Sequence, residues 1–296
     1  MNKDFLFFNY SWVANSTYIF KSIEKLGYNC DFVDEASLNS FKPEHKYKCV
    51  VLYLHENWTI PITNYLINNY FQDSILIQHD DTDFEDVQVW GQRHPDVIMQ
   101  RELNDSTKNP YSCPIYPFHF PIHSKLDQNL QNKTYDICFM CNITNQRRVP
   151  FARHVHDLAT GKLKNLSWAL DISNGRSPNV SSSQYIEIIN KSKIGLNYFG
   201  NSYDSWRTWE LASVKTAIIM PRLRMKSVSD GFMPFKNYCV IQDDFQDLEE
   251  KILYMLKDDN YKGYAEKAFN DYNNNHTPQK CFEYYFNIIK KYIPNL

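Results

Sequence analysis

The chain has 296 residues, and its 32 basic against 34 acidic side chains leave a formal charge of −2, which gives no electrostatic reason to expect a nucleic acid or an anionic membrane as main ligand. Aromatic residues reach 16% while glycines number only 8, a composition that excludes a disordered chain, and the length suits two domains of roughly 120 to 170 residues better than one. Seven cysteines with no secretory leader exclude a disulfide framework, and no segment reaches the roughly 18 apolar residues that span a bilayer, so a soluble, cytoplasmic protein with reduced thiols is expected.

From the N-terminus, DFLFFNY reads as a buried strand, and STYIFKSIEKLGYN carries apolar residues at helical spacing and ends at Gly27. CDFVDE, KCVVLYLHEN, SILIQHDD and DVIMQREL follow as short apolar strands, with a helix around ITNYLINNYF. The stretch NPYSCPIYPFHFPIHSKLDQNLQNKT holds four prolines and then a polar run, the composition of a linker, and places a domain boundary near residue 125. The alternation then restarts: strands at YDICFMCNI, LSWALDI, KIGLNYF, TAIIM and NYCVIQ, helices at RRVPFARHVHDLATG, SSSQYIEIINKS, SWRTWELASV and DLEEKILYMLKD. Residues 264 to 293 read as amphipathic helix broken at NNNHTP. Strands alternating with helices predict an α/β protein with parallel sheets covered on both faces. The expected domains are residues 1–125, residues 126–275 and a C-terminal helix, 276–296, that packs back on the first.

In such a fold ligands sit at the carboxyl ends of the strands, in a crevice between two lobes that face each other. Neither GxGxxG nor GxxxxGK[ST] occurs, so a phosphate would be held another way. The candidate is NYFGNSYDSWRTWE, where a strand ends, the chain turns at Gly200, and a helix starts with Asp204 or Ser205 as N-cap. Helix amides and the Arg207 guanidinium suit a diphosphate, and Glu210, three residues on, suits the two hydroxyls of a ribose. The plainer reading of Arg207 and Glu210 is an exposed ion pair worth a few tenths of a kcal/mol.

The run SWRTWELASVKTAIIMPR, then DGFMPFKNYCVI, then DLEEKILYMLKDD resembles the C-terminal half of GT-B glycosyltransferases, in particular their CgeB-like and exostosin-like groups; TYDICFMCNITNQRR resembles the opening of their donor lobe. The resemblance covers roughly residues 134 to 285, and it departs where Ser213-Val214-Lys215-Thr216 replaces a usual glycine. It implies a GT-B fold of two Rossmann-like lobes and an R-x-x-E pair, Arg207 and Glu210, associated with a nucleotide-sugar donor. It adds Asn142, Thr144 and Arg148 as donor contacts, and Tyr198, Asn201 and Ser205 as lining of the same pocket. Their plainer readings are an N-cap with a solvated basic turn, and core aromatics at a strand end.

In the first lobe DDTD could hold a divalent cation as a DxD motif, but that motif belongs to the GT-A type. An acceptor-side role is preferred, with Asp81, Asp83 or His79 taking the proton of the attacking hydroxyl; an acidic loop capping the next helix is the plainer alternative. Cys138-x-x-Cys141 on a strand directs its thiols to opposite faces, His154 and His156 diverge on a helix, and His276 falls in an exposed Asn-rich turn, so no metal site is assigned. The expectation is a transferase moving a sugar from a nucleotide donor to a glycan or glycolipid hydroxyl, in surface or capsular polysaccharide synthesis. No cofactor is obligatory, Mg²⁺ or Mn²⁺ is not expected, and peripheral contact with the inner face of a membrane stays open. The competing readings are a CMP-sugar transferase, a nucleotide-sugar epimerase, and a non-catalytic nucleotide- or glycan-binding protein.

Overall fold

The computed structural model describes residues 2–9, 14–54, 60–80, 86–88, 93–101, 103–118, 131–143, 145–173, 179–200, 205–224 and 235–293. Its contacts divide into two units. The first draws on Met1–His123 and Pro278–Leu296, the second on Ser124–Arg224 and Pro234–Thr277.

The first unit is built on a six-stranded parallel sheet of β1 (Asn2–Asn9), β2 (Cys30–Asp34), β3 (Lys46–Leu54), β4 (Ile75–Asp80), β5 (Val97–Gln100) and β6 (Ile115–Pro117), in the order β2-β1-β3-β4-β5-β6. Because β1 is covered on both faces, its apolar run alternates between two cores. Phe5 and Phe7 join Cys49, Val51 and Ile77 on one side, and Leu6 and Phe8 join Val50, Leu52 and Leu76 on the other. Helix α1 (Ala14–Lys25) contributes Ile19 and Ile23 to the first core and stops at Gly27, whose φ of 91° only glycine adopts freely. Helix α3 (Ile60–Tyr70) sends Leu66 and Ile67 to the second.

Two elements depart from expectation here. The short helix α2 (Glu35–Leu38) forms on a capping box between Asp34 and Ser37, and β6 lies within the proline-rich stretch expected to be linker. Pro117 is tolerated because β6 is an edge strand, where a missing N–H breaks no ladder bond.

In the second unit β7 (Tyr135–Asn142), β8 (Trp168–Ser173), β9 (Ser192–Leu196), β10 (Ala217–Pro221) and β11 (Cys239–Ile241) make a parallel sheet in the order β8-β7-β9-β10-β11. One face packs an apolar core against α4 (Arg148–Thr160), α7 (Leu248–Leu256) and α8 (Tyr261–Asp271), through Phe151, Val155, Ile252, Met255 and Ala265. The other carries α5 (Ser182–Asn190), started by the Ser181–Gln184 capping box, and α6 (Trp206–Ser213). Gly195 of β9 lets α6 come close, since a Cβ there would lie 2.7 Å from Leu211 Cδ1.

Both sheets reverse direction of growth at their first strand, between β1 and β3 and between β7 and β9. A π-helical turn, Tyr272–His276, leads from α8 to α9 (Pro278–Tyr292). Helix α9 belongs to the first unit, and its Phe282, Tyr285, Phe286 and Ile289 complete the core around Phe5 and Phe7. Among the described residues no helix is long and apolar enough to cross a membrane.

Candidate functional site

The reversal between β7 and β9 opens at the carboxyl ends of both strands, the position that open α/β sheets reserve for ligands. There Arg148, first residue of α4, donates from Nη1 to the Asn142 carbonyl at 2.9 Å and from Nε to the Phe199 carbonyl at 3.1 Å. One guanidinium thus ties the end of β7 to the loop after β9. Gly200 makes room for it, because a Cβ would stand 2.6 Å from Arg148 Nη2. The Asn142 side chain accepts a short hydrogen bond from the Ser173 hydroxyl at the end of β8.

Helix α6 brings the next groups. Asn197, buried just past β9, donates from Nδ2 to the hydroxyl oxygens of Ser205 and Thr208, each at 2.9 Å. Ser205 stands at the N-cap with extended backbone and makes no side-chain cap bond, while its carbonyl accepts from the Thr208 N–H at 3.1 Å. Of the two tryptophans, Trp206 is 49% exposed, whereas Trp209 is buried against Phe235 and His276 and fixes the rotation of the helix.

That rotation turns Arg207 and Glu210 half-inward, where they do not form the exposed ion pair of the plainer reading. Arg207 reaches Asn197 Oδ1 from Nη1 at 3.4 Å, and its Nε–H is buried without an acceptor. Glu210 accepts instead from the Tyr185 hydroxyl on α5 at 2.6 Å. Burial pushes the Glu210 carboxyl above its ordinary range, against the pull of the Tyr185 bond and the Arg207 charge. Burial, then the Glu210 charge, pushes the Tyr185 phenol well above its own.

Thus Arg148, Asn142, Ser205, Arg207 and Glu210 gather at one end of one sheet, and Tyr198 stands behind them with its ring stacked on Phe151 at 4.6 Å. Thr144 and Asn201 lie outside the described residues, as do Asp81 and Asp83. Sequence reasoning missed Asn197, Tyr185 and Ser173. A polar residue in the apolar run KIGLNYF was a signal for Asn197; nothing marked the other two.

His79 is in the first unit and differs from expectation. It is 0% exposed, with its ring 4.1 Å from Tyr53 and 4.3 Å from Phe118, and neither ring nitrogen has a hydrogen-bond partner. Burial, helped by the Arg101 charge, lowers its pKa to about 3. Alternation along β4 turns position 79 into the core shared with α9, away from any external hydroxyl. His276 is likewise not in an exposed turn: it is 3% exposed, inside the π-helical turn, with Nε2 3.5 Å from Asp271. Cys138 and Cys141 are buried free thiols, and among the described residues no three His, Cys, Asp or Glu side chains cluster as metal ligands.

Residues 138–287, half of the chain, match the family described as "Glycosyl transferase-like". No curated protein matches. Among solved structures the chain is similar to sucrose-phosphate synthase from Thermosynechococcus elongatus, at 8% identity over 98% of each chain with a TM-score of 0.57. It is similar to a glycosyltransferase from Rickettsia africae ESF-5, at 10% identity over 100% of each chain with a TM-score of 0.56. The pneumococcal O-GlcNAc transferase GtfA, solved in complex with UDP and GlcNAc, gives 10% identity over 86% of this chain and 59% of that one, with a TM-score of 0.52. The chain therefore spans less than two thirds of the pneumococcal enzyme, and at these identities the likeness is one of fold.

Proposed function

The chain belongs to the glycosyl transferase-like family and has the two-sheet fold of GT-B glycosyltransferases, and from that premise we propose that it transfers a sugar from a nucleotide-sugar donor to a hydroxyl of a glycan or glycolipid acceptor, in building a surface polysaccharide or glycoconjugate. The observation that carries this reading is Arg207: a half-buried guanidinium in the first turn of α6 whose Nε–H is buried without an acceptor, a donor that lacks an anion. A diphosphate supplies one. Leaving-group charge would then be balanced by Arg207 and the α6 amides, with no obligatory Mg²⁺ or Mn²⁺.

Glu210 would accept from the ribose hydroxyls. Arg148, engaged by two main-chain carbonyls, would shape the pocket rather than touch the phosphates, with Asn142, Ser205 and Tyr198 around it and Thr144 and Asn201 in adjoining segments. Asp81 and Asp83 are the proposed bases toward the acceptor. His79 is not, since its ring is sealed from solvent.

Calorimetric titration of UDP, GDP, dTDP, CMP and ADP into wild type and Glu210→Ala, with and without Mn²⁺, tests the donor site. The expected result is one nucleotide binding wild type without metal and about tenfold or more weaker binding to the variant, the weight of one charged hydrogen bond. No binding by any of the five would refute the donor reading, and binding only with Mn²⁺ would refute metal independence.

A further inference from the structure

One oxygen of Glu210 is already occupied. Oε2 accepts the Tyr185 hydroxyl at 2.6 Å, while Oε1 accepts no hydrogen bond from any described residue. The bond is also the one hydrogen bond the Tyr185 hydroxyl makes among the described residues. A half-buried phenol gains from a partner for its O–H, and this one has a carboxylate whose other oxygen no described residue bonds.

We propose that Tyr185 is a positioning residue for the donor: its hydroxyl fixes the Glu210 carboxylate so that Oε1 alone is presented to a vicinal diol, giving preference for a ribonucleotide over its 2′-deoxy counterpart. The inference rests on the donor-site reading above. A single carboxylate oxygen has two lone pairs and can accept from two neighbouring hydroxyls. A glutamate held in place before binding loses less freedom when the ligand arrives.

The charged and titratable groups around the pair are few. Arg207 faces Glu210 from the same helix, Tyr185 faces it from α5, and Cys138 of β7 faces the Tyr185 hydroxyl. Burial pushes the Cys138 thiol up to about 11, so it stays neutral near neutrality. Against the burial that favours a protonated Glu210, the Tyr185 hydroxyl and Arg207 are the groups holding it ionised.

The test is Tyr185→Phe in the full chain, which keeps the ring and removes the hydroxyl. In protein labelled with ¹³C at the glutamate carboxyls, with the Glu210 signal assigned by Glu210→Gln, the midpoint of Glu210 should move to higher pH. UDP, GDP and ADP are titrated beside their 2′-deoxy counterparts. The ribonucleotide that binds wild type should bind the variant about tenfold more weakly, with little change for the deoxy compound. An unmoved midpoint, or an unchanged ribo-to-deoxy ratio, overturns the proposal and leaves Tyr185 as packing. If wild type binds no nucleotide, the donor reading fails and this proposal with it, whereas the carboxyl titration still reports whether the hydroxyl holds Glu210.

Discussion

Arg207 and Glu210 stand three residues apart on α6 without bonding each other, and the reason is the surroundings rather than the spacing. On an exposed helix the two charges would meet; here burial draws Arg207 toward Asn197 and Glu210 toward Tyr185. The residue types and their helix could be read from the chain, but Tyr185 could not, because it lies 25 residues earlier on a different helix and reaches Glu210 only through the β9 crossover. His79 illustrates the converse. Its place beside an acidic run suggested chemistry, yet strand alternation decided its environment. Its folded-state pKa of about 3 lies below the ordinary 6.5, so the unfolded chain binds the extra proton between those values and stability falls as pH is lowered through that window. His79→Leu should remove that acid sensitivity and, by ending the burial of unpaired ring nitrogens, hold or raise stability at pH 7 by about 1 kcal/mol. Urea denaturation at pH 7 and pH 5 would check this; a loss of more than about 2 kcal/mol at pH 7 would show that the ring packs better than an aliphatic side chain can.

Helix α6 ends where the sequence lacks the glycine usual to the resembling family, and the structure shows how the end is made without one. Thr216 N–H donates to the Leu211 carbonyl at 3.0 Å and Lys215 N–H to the Ala212 carbonyl at 3.2 Å, the pattern of a Schellman cap, with Lys215 itself at φ 55°. A lysine in that left-handed slot carries a strain of about 1 kcal/mol, offset in part by its ion pair with Glu266 and its ammonium 5.8 Å over the Phe269 ring. From below, Lys133 donates to the Val214 and Asn190 carbonyls at 3.2 and 2.7 Å, satisfying both helix ends at once. Lys215→Gly should therefore be neutral or slightly stabilising, while Lys215→Val should be less stable than Lys215→Gly by about 2 kcal/mol, because a β-branched residue resists positive φ. Denaturant midpoints of the two variants decide it; equal midpoints would mean the turn relaxes. At this scale helices and central strands were legible from period and punctuation, whereas β6 was hidden by prolines that an edge strand tolerates.

The alternation of strands and helices made the two parallel sheets legible, and the reversal of the second sheet at its first strand explains why the candidate site residues collect at the β7 and β9 ends. Which core α9 completes was set by side chains more than 250 residues away in sequence: Tyr28 lies 5.5 Å from Phe286, and Phe5 and Phe7 share a core with Tyr285 and Ile289. Ile289→Asp should cost the first unit roughly 3 kcal/mol or more, a buried unpaired carboxylate in an apolar site. Hydrogen exchange should then show lost protection in β1, β3 and β4 with β7 and β9 unchanged; uniform loss would mean the two cores melt as one. The same arrangement orders events on the ribosome. The second unit has its entire core once Thr277 has emerged, but the first, although translated earlier, waits with the core around Phe5 and Phe7 only part-built until α9 is made. Of the two units, the one translated first is thus the one that can finish folding last, with apolar surface exposed for longer during translation.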